Sequence, residues 1–139
     1  MFWLENTIQF FETPATGEEM TVANLLQKLI EAVNHGNMTS LLEAYAETAA
    51  IVPAFSKIPP LTKKEYVNFL RFQPIKNGRF TLKEVLIRVD PARNEAEVTA
   101  SLEALFLGAA INDPRRRELR YFHLIKENGS WRINKAVNL

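Results

Sequence analysis

The chain has 139 residues, of which 47% are hydrophobic and 24% are charged, and its formal net charge is +1 at pH 7. This length fits one domain, residues 1–139, with enough buried surface for a core, and the small charge excludes a strong global attraction to nucleic acid or to an anionic membrane. The absence of cysteine excludes disulfides, thiolate metal sites and a cysteine nucleophile.

The chain begins with an apolar, aromatic segment over residues 1–12, inside an N-terminal extension that we take as residues 1–17. Its spacing fits either a short helix or a strand, and it must cover the domain's own core or a partner subunit. It lacks the basic start and long apolar run of a signal peptide, and no stretch has the length of a membrane span. We therefore expect a cytoplasmic protein with no membrane contact.

Helical periodicity follows this segment. The apolar residues between Val22 and Val33 fall on one stripe of a helix. We expect that helix to end near His35, because Gly36 can adopt the left-handed conformation that terminates helices. Asn37 is suited to cap a second, short helix.

A strand and a third helix come next. Residues 48–54 are typical of a short strand that ends near its proline. Thr62 and Glu65 have the spacing of a capping box, which predicts a helix over residues 63–72 with Phe72 among its buried side chains.

The second half of the chain changes to strand periodicity. Residues 80–89 are rich in β-branched and aromatic side chains, residues 90–94 read as a turn, and residues 95–107 alternate strictly between apolar and polar. Pairing across the turn places Val85 opposite Ala100. The broken alternation at positions 83–84 predicts a β-bulge that bends the strand.

The last hairpin has the clearest local signal. Residues 119–126 and 130–137 flank Asn128-Gly129, the dipeptide preferred in a two-residue type I′ turn. The register that this turn predicts puts Leu124 opposite Ile133, Lys126 opposite Trp131, Phe122 opposite Lys135, and His123 opposite Asn134.

Three local motifs resemble the nuclear-transport-factor-two-like superfamily, also described as SnoaL-type or polyketide-cyclase-like. They are GNMTSLL at 36–42, YAETA at 45–49 and ENGSWRI at 127–133. In their order and spacing they cover the chain from about residue 20 to its end. The resemblance implies an α+β fold, a conical curved antiparallel sheet wrapped around two to three N-terminal helices, as in a cystatin-like α+β barrel. It also implies a pocket at the wide end and frequent dimerisation through the outer sheet face.

Members of this superfamily include ketosteroid isomerases, polyketide cyclases, hydrolases and transport adaptors, so the fold does not select the function. The base of the ketosteroid isomerases lies just before a proline in the strand after the second helix. The matching position here is Val52, before Pro53, which cannot move a proton. This departure argues against that activity and leaves open whether the protein is an enzyme.

Two histidines are present, and neither has metal-ligand spacing, so we expect no metal and no cofactor. His35 lies at a helix end. His123 forms, with Tyr121 and Asn134, a polar cluster on one strand face. This cluster either orients a ligand or serves as a general base, or it is a half-exposed face or dimer surface.

An aromatic pocket with one or two cations is the remaining candidate site, suited to a small apolar carboxylate or a polyketide-like molecule. The alternative is that the aromatic side chains simply fill the core. The predicted ligand-binding residues are Tyr45, Phe55, Tyr66, Phe69, Arg120, Phe122, Trp131 and Lys135.

Charged residues on the last strands suggest a surface role. Glu103 shares its predicted face with leucines, so we expect a subunit contact there, with Glu103 paired to an arginine of residues 115–126. Arg115-Arg116-Arg117 either holds an acidic group or forms a solvated strand end, and no wider basic face suggests nucleic-acid binding.

These observations favour a small-molecule-binding domain that forms a homodimer through the outer sheet face and takes a hydrophobic ligand in its hollow. One alternative is a non-catalytic protein-interaction or dimerisation module. Another is a SnoaL-type isomerase, cyclase or hydrolase that lacks the ketosteroid isomerase base.

Overall fold

The computed structural model describes residues 7–72, 78–106 and 115–139. Six strands form one curved, unclosed sheet in the order β1-β3-β4-β5-β6-β2, and helices lie against its inner face, which confirms the predicted α+β class. The elements are β1 (Ile8–Phe10), α1 (Gly17–His35), α2 (Met38–Glu43), β2 (Tyr45–Ile51), α3 (Lys63–Phe72), β3 (Gly78–Asp90), β4 (Glu95–Phe106), β5 (Arg115–Glu127) and β6 (Ser130–Asn138).

Strands β3 to β6 pair antiparallel, while the two edges are parallel pairs, β1 with β3 and β2 with β6. The undecided N-terminal segment is therefore a strand at Ile8–Phe10, and residues 1–6 lie outside the described ranges. Strand β2 begins at Tyr45, three residues before the predicted start, and ends at Ile51.

The helix ends follow the local signals. Gly36 has φ 66° and ends α1, and the Asn37 side chain accepts a hydrogen bond from the Ser40 amide over 3.1 Å. The predicted capping box of α3 is present, with Glu65 and Thr62 each accepting from the other's amide. The expectation for Phe72 is wrong, because its side chain ends α3 pointing outward and is 84% exposed.

A β-bulge bends β3 where the alternation of the sequence breaks. Glu84 has φ 53°, and the register with β4 shifts between Lys83 and Leu86. The bulge takes up one extra residue, so Glu84 and Val85 together lie opposite Ala100, and from Leu86 onward the predicted register is confirmed, with Ile87 paired to Val98 and Val89 to Ala96. Val85 still points inward and is fully buried, because the bulge restores the inner face beyond it.

The last hairpin also contains a bulge, which the sequence did not predict. Asn128 and Gly129 both have positive φ, as a type I′ turn requires, and Leu124 pairs with Ile133 as expected. The register then shifts, so that Phe122 pairs with Ala136 and His123 with Lys135. The predicted pairs of Phe122 with Lys135 and of His123 with Asn134 are therefore wrong.

The core lies between α1 and the inner face of the sheet. Side chains from α1, β2, β3, β4, β5 and β6 meet there with less than 2% of their surface exposed. The largest of them are Val22, Leu26, Ile51, Leu82, Val85, Val98, Leu124 and Ile133. In the ranges given above, no helix combines the length and apolar character needed to cross a membrane.

The start of α1 is tied to the last hairpin through Glu18. Its carboxylate accepts hydrogen bonds from Lys126 Nζ over 2.9 Å and from Trp131 Nε1 over 2.8 Å. The Lys126 ammonium also lies 5.8 Å from the centre of the Trp131 ring. These three side chains join the start of α1 to strands β5 and β6.

We expect this tie to make stability depend on pH. The hydrogen bonds from Lys126 and then Trp131 lower the pKa of Glu18, so its contribution is present above the ordinary pKa of a carboxylate and is lost as pH falls through the lowered value. Urea unfolding should show Glu18→Gln less stable than the unaltered protein at pH 7, with the gap closing toward pH 3. Glu31→Gln, on the exposed side of α1, should show no such gap, and a gap for Glu18→Gln that stays constant as pH falls would contradict the expectation.

Candidate ligand-binding site

A cavity of about 480 Å³ opens between the helices and the inner face of the sheet. Its walls are mostly apolar and come from α1, α3, strands β2 to β5 and the loop of residues 52–62. The lining side chains include Leu29, Ile30, Val33, Pro53, Ala54, Phe55, Ile58, Phe69, Leu70, Phe80, Leu82, Leu102, Phe106 and Phe122.

Three phenylalanines form one wall. The Phe55 ring lies 6.4 Å from the Phe80 ring and 6.3 Å from the Phe106 ring, and the last two rings lie 5.9 Å apart. Phe55 comes from the loop and has φ 60°, a left-handed conformation that is uncommon for a phenylalanine. The loop therefore turns sharply at Phe55, which brings its ring against the two strands.

Arg120 provides the buried charge of the cavity. The residue is 4% exposed and its guanidinium lies 5.9 Å from the centre of the Phe122 ring. One terminal nitrogen, Nη2, donates to the Val52 carbonyl over 2.8 Å. The other, Nη1, donates to Asn138 Oδ1 and, over 3.4 Å, to Glu118 Oε1. These partners hold the guanidinium in one place.

Two tyrosines line the cavity with Arg120. The rings of Tyr45, from β2, and Tyr66, from α3, meet edge to face with centres 5.7 Å apart. Burial raises the pKa of both hydroxyls, although the positive charge of Arg120 partly opposes the effect. Both tyrosines therefore stay protonated at neutral pH and can donate hydrogen bonds.

Glu118 balances the charge of Arg120 and also holds the loop. Its Oε2 accepts a hydrogen bond from the Phe55 amide over 3.0 Å, while Oε1 faces Arg120. Burial raises the pKa of Glu118, and the hydrogen bond from Phe55 and the charge of Arg120 act against the rise. Sequence reasoning missed this residue, because it follows three arginines and resembled part of a solvated strand end.

Six of the eight residues predicted for the pocket line this cavity: Tyr45, Phe55, Tyr66, Phe69, Arg120 and Phe122. Trp131 lies in the core, with its ring against the start of α1. Lys135 is exposed on the outer face, because the unpredicted bulge in β6 reverses its direction, so its predicted inward position is wrong. A ligand-binding role for the six remains a prediction.

The structure does not bring Tyr121, His123 and Asn134 together as one cluster. The Tyr121 hydroxyl donates to Glu97 over 2.9 Å, and His123 Nε2 lies 3.3 Å from Glu95. Burial and the nearby Glu97 raise the pKa of Tyr121 to about 12. Asn134 instead accepts a hydrogen bond from Thr48, because the bulge removes it from its predicted place opposite His123.

The ion pair of Glu103 also differs from the expected one. It stands opposite Arg117 in the sheet, but its ion pair is with Lys83 over 3.4 Å. Arg117 donates to Ser101 over 2.8 Å and lies 3.5 Å from Glu84. Over the described ranges, no three histidine, aspartate or glutamate side chains cluster closely enough to hold a metal ion.

A scan of protein-family models and a search of curated proteins both return no match to this sequence. Solved structures do match. An NTF2-like protein of unknown function from Pseudomonas putida has a TM-score of 0.73 at 12% identity, over 88% of this chain and 85% of that one.

The chain has the nuclear-transport-factor-two-like fold. Two other structures show the same fold. The association domain of C. elegans CaMKII has a TM-score of 0.73 at 11% identity, over 87% of this chain and 94% of that domain. A candidate ketosteroid isomerase from Shewanella frigidimarina has a TM-score of 0.68 at 20% identity, over 88% of this chain and 98% of that chain. At these identities the similarity concerns the fold, which confirms the predicted architecture.

Proposed function

We propose that this protein binds a small apolar ligand in the cavity of its nuclear-transport-factor-two-like fold. The observation that carries the proposal is the buried Arg120 at the wall of an apolar space. A guanidinium has five N–H donors, and the contacts described above use three of them. The two remaining N–H donors, with the hydroxyls of Tyr45 and Tyr66, can donate hydrogen bonds to an acceptor atom of a ligand.

The size and character of the cavity support this proposal. Its volume of about 480 Å³ falls within the range of roughly 300–1,000 Å³ that is typical of small-molecule sites. Such sites combine mostly apolar walls with a few converging polar groups, which is the arrangement found here. We therefore infer that the three phenylalanines contact the apolar body of the ligand.

We propose binding in preference to chemistry of the ketosteroid isomerase kind. The position that matches the base in those enzymes is Val52, whose carbonyl accepts a hydrogen bond from Arg120 and whose side chain cannot carry a proton. A SnoaL-type isomerase, cyclase or hydrolase would need a different base. The polar groups at the cavity support holding a ligand more directly than they support proton transfer.

Nile red, an uncharged fluorescent probe of apolar sites, tests the proposal. We expect saturable binding with a stoichiometry near one per chain. Ala54→Trp, which places an indole in the cavity from its loop, should remove that binding. Ala92→Trp, in the exposed turn between β3 and β4, is the matched control and should keep it. No saturable binding, or equal binding by both variants, would contradict the proposal.

We further propose that two copies associate through the outer face of the sheet. Leu119 is 52% exposed and Leu139 71% exposed, and half-buried Tyr121 and Val137 lie beside Leu119 on the same face. Association is also the role named for the similar domain of C. elegans CaMKII. If association through this face is the whole function, the protein is an interaction module and its cavity stays empty.

Sedimentation at micromolar concentration tests the association. We expect a dimer for the unaltered chain and a monomer for Leu119→Glu, which places a charge on the outer face. Met20→Glu, a comparable change on the exposed side of α1, should remain dimeric. A monomeric unaltered chain would contradict the proposal. The cytoplasmic location expected from the sequence stays a prediction.

A further inference from the structure

Arg120 has a counter-ion of its own. The side chain of Arg120 is 5% exposed and that of Glu118 is 14% exposed, and they approach to 3.4 Å. Arg120 also contacts Asn138, which cannot ionise, and the cavity wall near it carries Tyr45 and Tyr66, which stay protonated. The charges at this end of the cavity therefore sum to about zero.

We propose that Glu118 acts as a charge filter, so that the cavity accepts apolar ligands with an uncharged acceptor, such as a ketone, ester or amide, and rejects the corresponding carboxylates. This inference rests on the proposed ligand-binding function and names the class of ligand. It changes the expectation from composition alone, in which a cation beside aromatic walls suits an apolar carboxylate.

The geometry explains the rejection. A ligand carboxylate bound to Arg120 would share the guanidinium with Glu118, and two negative charges a few ångströms apart repel strongly where water is scarce. Glu118 is not free to turn away, since its other oxygen holds the Phe55 amide over 3.0 Å. A neutral carbonyl oxygen meets no such repulsion, and it can accept hydrogen bonds from Arg120 and the tyrosine hydroxyls.

A matched pair of probes tests the filter: 2-acetylnaphthalene, a ketone, and 2-naphthoate, a carboxylate of nearly the same shape. Titration calorimetry at pH 7.5 should show the unaltered protein binding the ketone at least tenfold more tightly. Glu118→Gln removes the charge while keeping an acceptor for the Phe55 amide. We expect it to shift the ratio of the two affinities by at least tenfold toward naphthoate.

Two further variants keep the test decisive. Glu127→Gln makes the same charge change at the exposed end of β5 and should leave the ratio unaltered. Asn138→Asp adds a carboxylate beside Arg120 with little change of shape and should weaken naphthoate binding further, even if Glu118→Gln does not fold. Equal affinities for both probes, or a ratio unaffected in the folded Glu118→Gln variant, would overturn the filter alone. If neither probe binds any variant, the proposed ligand-binding function fails as well.

Discussion

Replacing Arg120 with methionine is expected to lower the free energy of unfolding by about 3 kcal/mol, because removing one partner of a buried ion pair leaves the other charge uncompensated. Glu118 would keep its hydrogen bond from the Phe55 amide but lose the guanidinium that balances its charge, and the Val52 carbonyl would lose its side-chain donor. Methionine retains much of the apolar contact with Phe122. The change is measured by urea unfolding at pH 7.

The double variant Arg120→Met with Glu118→Gln separates charge from packing. If the loss comes from the uncompensated carboxylate, removing that charge should recover more than half of it. An equal loss in the single and double variants would assign the effect to packing and would contradict the electrostatic explanation. The folded single variant should also bind 2-acetylnaphthalene at least tenfold more weakly, since the buried donor is gone.

Replacing Trp131 with alanine should lower the free energy of unfolding by about 3–5 kcal/mol, as is typical for large aromatic side chains in cores. Trp131 is 5% exposed, packs within the core and donates to Glu18 from its indole nitrogen. The variant loses the packing and also leaves Glu18 without one hydrogen bond. Urea unfolding measures the change.

Trp131→Phe tests where this side chain acts. Phenylalanine keeps most of the apolar burial and removes the donor to Glu18. We therefore expect the free energy of unfolding to fall by only about 1 kcal/mol, the usual net value of one hydrogen bond. Because Trp131 lies outside the cavity, Nile red should bind this variant as tightly as the unaltered protein. A clear loss of probe binding would show that Trp131 contributes to the ligand site after all.

Local signals explain which parts of the fold could be predicted. Gly36, Asn37 and the Thr62–Glu65 box act within a few residues of themselves, so their effects are readable from the sequence. Asn128-Gly129 specifies its turn for the same reason. These features determine where helices and hairpins begin and end, and the structure follows them closely.

The site was harder to predict, because the extra residue in β6, unlike the one in β3, was not recognised from the alternation of the sequence. The bulge at Asn134 reverses Lys135, and nothing in the letters Arg-Ile-Asn-Lys marks it. Glu118 acquires its role only because the loop of residues 52–62 folds back over β5 and presents the Phe55 amide. Such contacts join residues 63 positions apart, which periodicity cannot connect.

The two edge strands of the sheet, β1 and β2, affect how copies of this chain can associate. Open strand edges invite another chain to extend the hydrogen-bond ladder, and short or interrupted edge strands discourage it. Within the described ranges β1 has three residues, and β2 has seven and ends two residues before Pro53. Strand addition at these edges is thereby disfavoured, which favours the broad outer face as the place for the association proposed above.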